Sequence, residues 1–233
     1  MGHATIDPKG RSSVIKLTSP QISELLDQPE TGMGYQAVEV GLRDRLTPRR
    51  GTVLNAELLV WDAEAPTVLS RRFESLLARA SSAEADDIRS LTVIAPSRRA
   101  AGLVAERSAT DDDTGPATSG EPETTEKGEV FARFTAYRND RRITPGKGLR
   151  PGTYATTEED ANKVKTGTEA VERYALPDPR PAVFRFRIDP LEGTELRRGI
   201  VQPDFGHTGG GVEVLFDNGT DDGTVSGPKV LPA

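Results

Sequence analysis

The stretch Phe205-Gly206-His207-Thr208-Gly209-Gly210-Gly211-Val212-Glu213-Val214-Leu215-Phe216, near the C-terminus, sets the reading of the whole chain. Three consecutive glycines lead into an alternating pattern. Glycine has no Cβ and tolerates positive φ, so the backbone can pass close to a ligand there. In a strand over Val212–Phe216, the residues Val212, Val214 and Phe216 share one face, and Glu213 and Leu215 share the other. A carboxylate at a strand start, beside a glycine loop, is either a solvated edge residue or a site residue.

Outward from this stretch the pattern stays mixed. Residues 130–138, 153–156, 182–188 and 194–201 read as strands. Thr157-Glu158-Glu159-Asp160 starts a helix with a Thr cap and an acidic first turn, running toward Arg173. Upstream, strands are expected at 13–17, 36–42, 52–61 and 87–94, with helices at 18–26 and 72–80. The fold class is therefore α+β: two small β-rich domains joined by a disordered acidic linker, the C-terminal one a compact mixed sheet with a short helix. The expected boundaries are a flexible tail at 1–13, a β-rich module of unknown role at 14–96, the linker at 97–129, a second domain at 130–227 and a tail at 228–233. The linker assignment rests on composition. Asp111-Asp112-Asp113, Thr114-Gly115-Pro116 and Ser119-Gly120-Glu121-Pro122-Glu123 combine charges and turn formers with almost nothing apolar. The aspartate run lacks the alternating ligand spacing of a calcium loop.

Bulk composition narrows the classes. The chain has 233 residues, 35% of them hydrophobic and 5% aromatic, too thin for one large core. Its formal charge is −6. Residues 1–129 carry 15 Lys and Arg against 21 Asp and Glu, and residues 130–233 carry 15 of each. No basic surface for nucleic acid is indicated. There is no cysteine, and His3 and His207 stand far apart in sequence, so no disulfide and no standard zinc site is expected. Residues 1–8 lack the apolar core of a Sec-type signal, and no apolar run approaches a membrane span. The expectation is a cytoplasmic protein, or one exported by a specialised secretion system.

Three segments, taken in order, carry a resemblance. They are Arg173-Tyr174-Ala175-Leu176-Pro177, Phe186-Arg187-Ile188-Asp189-Pro190-Leu191, and Gly199-Ile200-Val201-Gln202-Pro203-Asp204-Phe205-Gly206-His207-Thr208-Gly209-Gly210-Gly211-Val212-Glu213. Over roughly residues 131–220 this order resembles the tuberculosis necrotizing toxin family of NAD glycohydrolase domains. The family reads Arg-Ser-Leu-Pro, a strand ending in Pro-Leu, and Gly-x-Ile-x-Pro-x-Phe-Gly-Gln-Pro-Gly-Gly-Gly-x-Gln. The resemblance implies hydrolysis of NAD or NADP as substrate, with no cofactor and no metal. It implies catalytic roles for Glu213, at the family's glutamine position, and for Arg173. It implies substrate binding by Arg138, Tyr154, Phe205, His207, Gly209, Gly210 and Gly211, and a protein partner, an immunity or delivery protein.

Each residue has a plainer reading as well. Arg138 suits a phosphate through its bidentate fork, or is a surface arginine. Tyr154 and Phe205 are pocket walls, or strand and core packing. Two departures bear on activity: Glu213 replaces the glutamine, and Phe184 stands where the family often carries a histidine. Hydrolysis, ADP-ribosyl transfer to a macromolecule, and a non-catalytic nucleotide- or protein-binding relative therefore all remain open.

Overall fold

The structure is a computed structural model that describes residues 14–61, 83–94, 115–177 and 181–232. The protein is α+β and β-rich, with two antiparallel sheets, one in each of two compact units. The tail at 1–13, the helix expected at 72–80 and the linker residues up to 114 lie outside the described residues.

In the N-terminal unit, β1 (Val14–Lys16), α1 (Ser19–Leu26), β2 (Tyr35–Leu42), β3 (Arg49–Leu54), β4 (Leu58–Trp61) and β5 (Ile88–Val93) follow in chain order. The sheet order is β1-β4-β3-β2-β5. Pro20 opens α1, and the Gln21 side chain accepts from the Thr18 N–H at 2.9 Å, closing the helix start. On β2 the period of two is clean: Val38, Val40 and Leu42 are buried with Leu25, Val53 and Leu59 in one core. Trp61 is fully buried there, with the Arg49 guanidinium 4.2 Å from its ring centroid. The single strand expected over 52–61 is two strands. Asn55 and Ala56 both take positive φ (50° and 53°), and the Glu57 N–H donates to the Leu54 carbonyl at 2.9 Å, turning the chain between β3 and β4.

The C-terminal unit contains β6 (Pro122–Thr124), β7 (Phe131–Thr135), β8 (Thr153–Thr157), α2 (Glu158–Ala161), α3 (Gly167–Arg173), β9 (Phe184–Ile188), β10 (Glu195–Ile200), β11 (Val212–Phe216) and β12 (Val225–Val230). Its sheet runs β12-β9-β7-β8-β11-β10-β6. Alternation sends Phe131, Ala155, Ile188, Val214 and Phe216 into one core. It sends Ala132, Phe134, Tyr154 and Leu215 into another, shared with Ala170, Val171 and Tyr174 from α3 and its C-terminal end. Both faces of the central strands are thus dry, and each fully buried large apolar side chain contributes about 1.5–3 kcal/mol.

Three expectations are corrected here. Residues 115–129, placed in the linker on composition, are ordered: a 3₁₀ turn spans Ala117–Ser119, and β6 pairs with β10 through Glu123 opposite Leu196. Backbone pairing and ion pairs order this segment, which a count of apolar residues does not register. The helix expected to run from Thr157 to Arg173 is two helices. Thr157 caps α2, while Thr166 and Glu169 form a capping box that restarts the chain as α3. The tail placed at 228–233 begins inside β12, which pairs with β9 up to Val230 opposite Phe184.

A buried ion pair lies beside the first core of this unit. Arg133 Nε donates to Asp140 Oδ2 at 2.8 Å, and both side chains are 1% exposed. Arg133 Nη1 also donates to the Tyr154 carbonyl at 2.7 Å. Removing one partner strands the other charge in a dry environment. Asp140→Ala is expected to cost about 3–5 kcal/mol in chemical denaturation. A loss below about 1 kcal/mol, the usual worth of an exposed pair, would show that water reaches Arg133.

Candidate functional site

The loop expected to face a ligand is folded onto the end of α3. The last carbonyls of a helix lack intrahelical partners, and those of Val171, Glu172 and Arg173 are met here from beyond the helix. Ala170 accepts from the Tyr174 N–H, and Val171 from Leu176, with Ala175 in the left-handed region (φ 43°) between them. Glu172 then accepts from the Gly209 N–H and Arg173 from the Gly211 N–H, both at 3.1 Å. The Gly210 N–H goes to the Val201 carbonyl at 2.9 Å. The glycine triplet is therefore a clasp on a helix C-terminus, and its three amides are all engaged within the chain. Two of its glycines are needed sterically. A Cβ at Gly211 would lie 2.6 Å from the Tyr174 ring, and one at Gly209, where φ is 64°, would lie 2.6 Å from the Val201 carbonyl oxygen.

Asp160 sits at the centre of this clasp, on α2. Its carboxylate receives Arg173 Nε at 2.9 Å and Nη2 at 2.5 Å, the Tyr174 hydroxyl at 3.1 Å and the Val212 N–H at 3.1 Å. Burial alone would raise its pKa. The Arg173 hydrogen bond and charge, with the Tyr174 and Val212 donors, outweigh burial and hold it below the ordinary carboxylate value. Burial in turn pushes the Tyr174 hydroxyl well above its ordinary value. Its ring stacks on Phe134, with centroids 5.2 Å apart.

Glu172 makes the second attachment. Its carboxylate accepts from the Thr208 N–H at 3.0 Å and lies 2.9 Å from His207 Nδ1. Those bonds, His207 first, hold it below the usual carboxylate range. The tip of the loop is a tight turn. His207 N–H donates to the Asp204 carbonyl at 2.8 Å, and the two central residues, Phe205 and Gly206, both have positive φ (51° and 84°). That is the pattern of a type I′ turn, normally made with Asn-Gly. A phenylalanine in the left-handed region is strained, and Phe205 is held there half-exposed.

The expected site residues thus divide. Arg173 binds Asp160, the glycine run and His207 attach the loop to the end of α3, and Phe205 stands at the tip of that loop. Glu213 follows directly on β11, but it faces no open cleft. It is 8% exposed, and the Ala117 N–H donates to its Oε1 at 2.6 Å. Burial raises its pKa, and the single Ala117 bond offsets this only in part. Tyr154 is 1% exposed and packs in the core on the Leu215 face, so it is no wall of an exposed pocket. Arg138 is exposed in the loop after β7, and makes no hydrogen bond or ion pair among the described residues. Sequence reasoning missed Asp160, Glu172, Tyr174 and Ala117. Asp160 stood in plain view as the third acid after Thr157, where it reads as a helix-start residue.

No family model matches this chain, and no curated protein matches it. Among solved structures it is similar to Tne2 in complex with Tni2. That likeness covers 49% of this chain and 94% of the other, at 16% identity and a TM-score of 0.36. Among the described residues no helix is long and apolar enough to cross a membrane.

The two shifted carboxyls give opposite pH dependences. Asp160 titrates below its ordinary 3.8 in the folded state, so its stabilisation is present above that value and is lost as pH falls through the lower folded one. Glu213 titrates above its ordinary 4.5, so its contribution is full below that value and is lost as pH rises through the higher one. Asp160→Asn is expected to cost about 1.5–3 kcal/mol at pH 7, the range for hydrogen bonds to a charged group, and to flatten the acid limb of the stability curve. Denaturation midpoints from pH 2 to 7 measure both effects. An unchanged acid limb would remove Asp160 from the account.

Proposed function

We propose that the C-terminal unit binds and cleaves NAD or NADP, releasing nicotinamide. The observation that supports this reading most is Phe205, held strained and half-exposed on a loop clasped to the arginine-bearing end of α3. Backbone strain at a bulky residue persists only where its surroundings enforce it, and it concentrates at binding and catalytic sites. A half-exposed aromatic on a loop clasped to an arginine-bearing helix end suits a dinucleotide: a ring for the base and a guanidinium for the diphosphate. Arg173 spends Nε and Nη2 on Asp160, which leaves Nη1 for a phosphate oxygen. Arg138, exposed in the loop after β7, is a further candidate cation for the diphosphate.

In the reaction the bond between ribose C1′ and the nicotinamide nitrogen breaks, and its electron pair stays on nicotinamide, which leaves neutral. Positive charge passes to an oxocarbenium-like ribose. A water oxygen then bonds to C1′ and loses a proton, giving ADP-ribose. Because the leaving group departs from a cation, no general acid is required. The work falls to orientation and charge stabilisation. Glu213 would accept from ribose hydroxyls and face the developing cation. An active domain of this kind calls for a restraining protein partner in any cytosol that holds NAD.

A second reading, a nucleotide-binding relative without chemistry, draws on Glu213 lying beneath Ala117 and on Phe184 at the family's histidine position. Incubation with NAD separates the readings. Nicotinamide and free ADP-ribose, lost in Glu213→Gln, is the expected result. ADP-ribose attached to a macromolecule would indicate transfer, and binding without release would indicate the second reading. Phe205→Gly should relieve the strained turn, holding stability or raising it by about 1 kcal/mol, while weakening nucleotide binding. Unchanged binding in that variant removes Phe205 from the site.

A further inference from the structure

We infer that residues 115–124 form a strap that closes over the Glu213 carboxylate and must lift before a substrate can reach it. The inference rests on the NAD-cleaving reading for its purpose and on geometry for its existence. Its 3₁₀ turn packs against β10 and β11 and donates one hydrogen bond to Glu213, from the Ala117 N–H at 2.6 Å, while β6 pairs along the outer side of β10. That N–H stands where a ribose hydroxyl would donate, so the strap competes with the substrate for the carboxylate.

The closeness of the two segments depends on a pair of glycines. A Cβ on Gly199, opposite Glu213 in the sheet, would lie 2.3 Å from the Ala117 nitrogen, 2.5 Å from the Pro116 carbonyl carbon and 2.6 Å from the Gly115 oxygen. A Cβ on Gly120 would lie 2.2 Å from the Arg198 carbonyl oxygen. All of these are backbone atoms, which cannot step aside as a flexible side chain can. Two bare glycines thus allow the strap to seat.

The strap is held by the β6–β10 ladder and by contacts that are mostly polar and peripheral. The three residues of β6 are exposed, and Ala117 is the one buried side chain of the 3₁₀ turn. The Ile200 N–H donates to the Gly115 carbonyl at 2.8 Å. Arg198 bonds Glu123 at 2.6 Å, and also bonds Glu129 just beyond the strap. Ala117 is the one strap side chain in the core, so little apolar area resists lifting, and the carboxylate beneath has burial against its ionised form. An element of few buried apolar contacts over a buried charge belongs to the low-stability end of a fold, where moving parts are found.

Carboxylate labelling of the full chain with a water-soluble carbodiimide and an amine tests this, with peptide mapping. Glu172 reports an exposed carboxyl and Asp140 a buried one. In the wild-type protein Glu213 should label far more slowly than Glu172. In Gly199→Ala the added methyl should unseat the strap. Glu213 labelling and hydrogen exchange at the Ala117 amide should then rise several-fold while Asp140 stays protected. If Asp140 also labels, that variant has lost its fold, and Glu123→Lys, an exposed change that sets a like charge against Arg198, is judged by the same rise. Labelling of wild-type Glu213 as fast as Glu172 overturns the strap. So does slow labelling that neither variant accelerates. Nicotinamide release is followed alongside. Faster labelling with faster release supports the strap as a gate. Faster labelling without any release supports the strap and overturns the NAD reading.

Discussion

The Asp160 carboxylate ties the C-terminal unit together. Donors from three places meet on it: Arg173, twice, and the Tyr174 hydroxyl at the end of α3, the Lys163 ammonium just after α2, and the backbone N–H of Val212 at the start of β11. A buried carboxylate is costly when unpaired, and charge-assisted bonds at this density more than offset its desolvation. Asp160 thus links the start of β11 to the end of α3, on which the glycine loop is seated. Because the loop also donates to two of the orphan carbonyls at the end of α3, helix and loop are mutually dependent. Neither is complete alone.

This economy separates structural from functional demands on adjacent residues. The glycines serve the helix end, and Asp160 and Tyr174 serve the core. What remains turned outward is a strained phenylalanine, one edge of an arginine and the His207–Glu172 pair. Glu213 is the exception. It follows the clasp in sequence, yet it is buried under a segment from far earlier in the chain. A carboxylate kept dry with a single backbone donor is poor for stability, and it makes sense where the cover can move.

Much of the architecture was legible in the sequence. The alternation of Val212–Phe216 placed β11 and its faces, and the Thr cap with its acids placed the start of α2. The break between α2 and α3 was hidden because a capping box at Thr166 and Glu169 lies inside an otherwise helical run. The Asn55-Ala56 turn was hidden because it lacks glycine. Order in 115–129 was invisible to composition, since backbone pairing with β10 supplies it. At the site, proximity in sequence exposed the loop residues, but not what lies against them. Nothing in the spacing ties Asp160 to Arg173 or Ala117 to Glu213, since both contacts are products of the fold. Tyr154 shows the reverse error: a strand aromatic taken for a pocket wall proves to be core.

The most direct test of a dinucleotide site on the α3 clasp is a titration of ¹⁵N-labelled protein with ADP-ribose, followed by backbone amide shifts. Binding needs no turnover, so the result stands apart from catalytic competence. The account predicts saturable shifts concentrated in residues 202–213 and at the C-terminal end of α3, Glu172 to Leu176. Shifts confined to the N-terminal unit, or none at millimolar ligand, would contradict it.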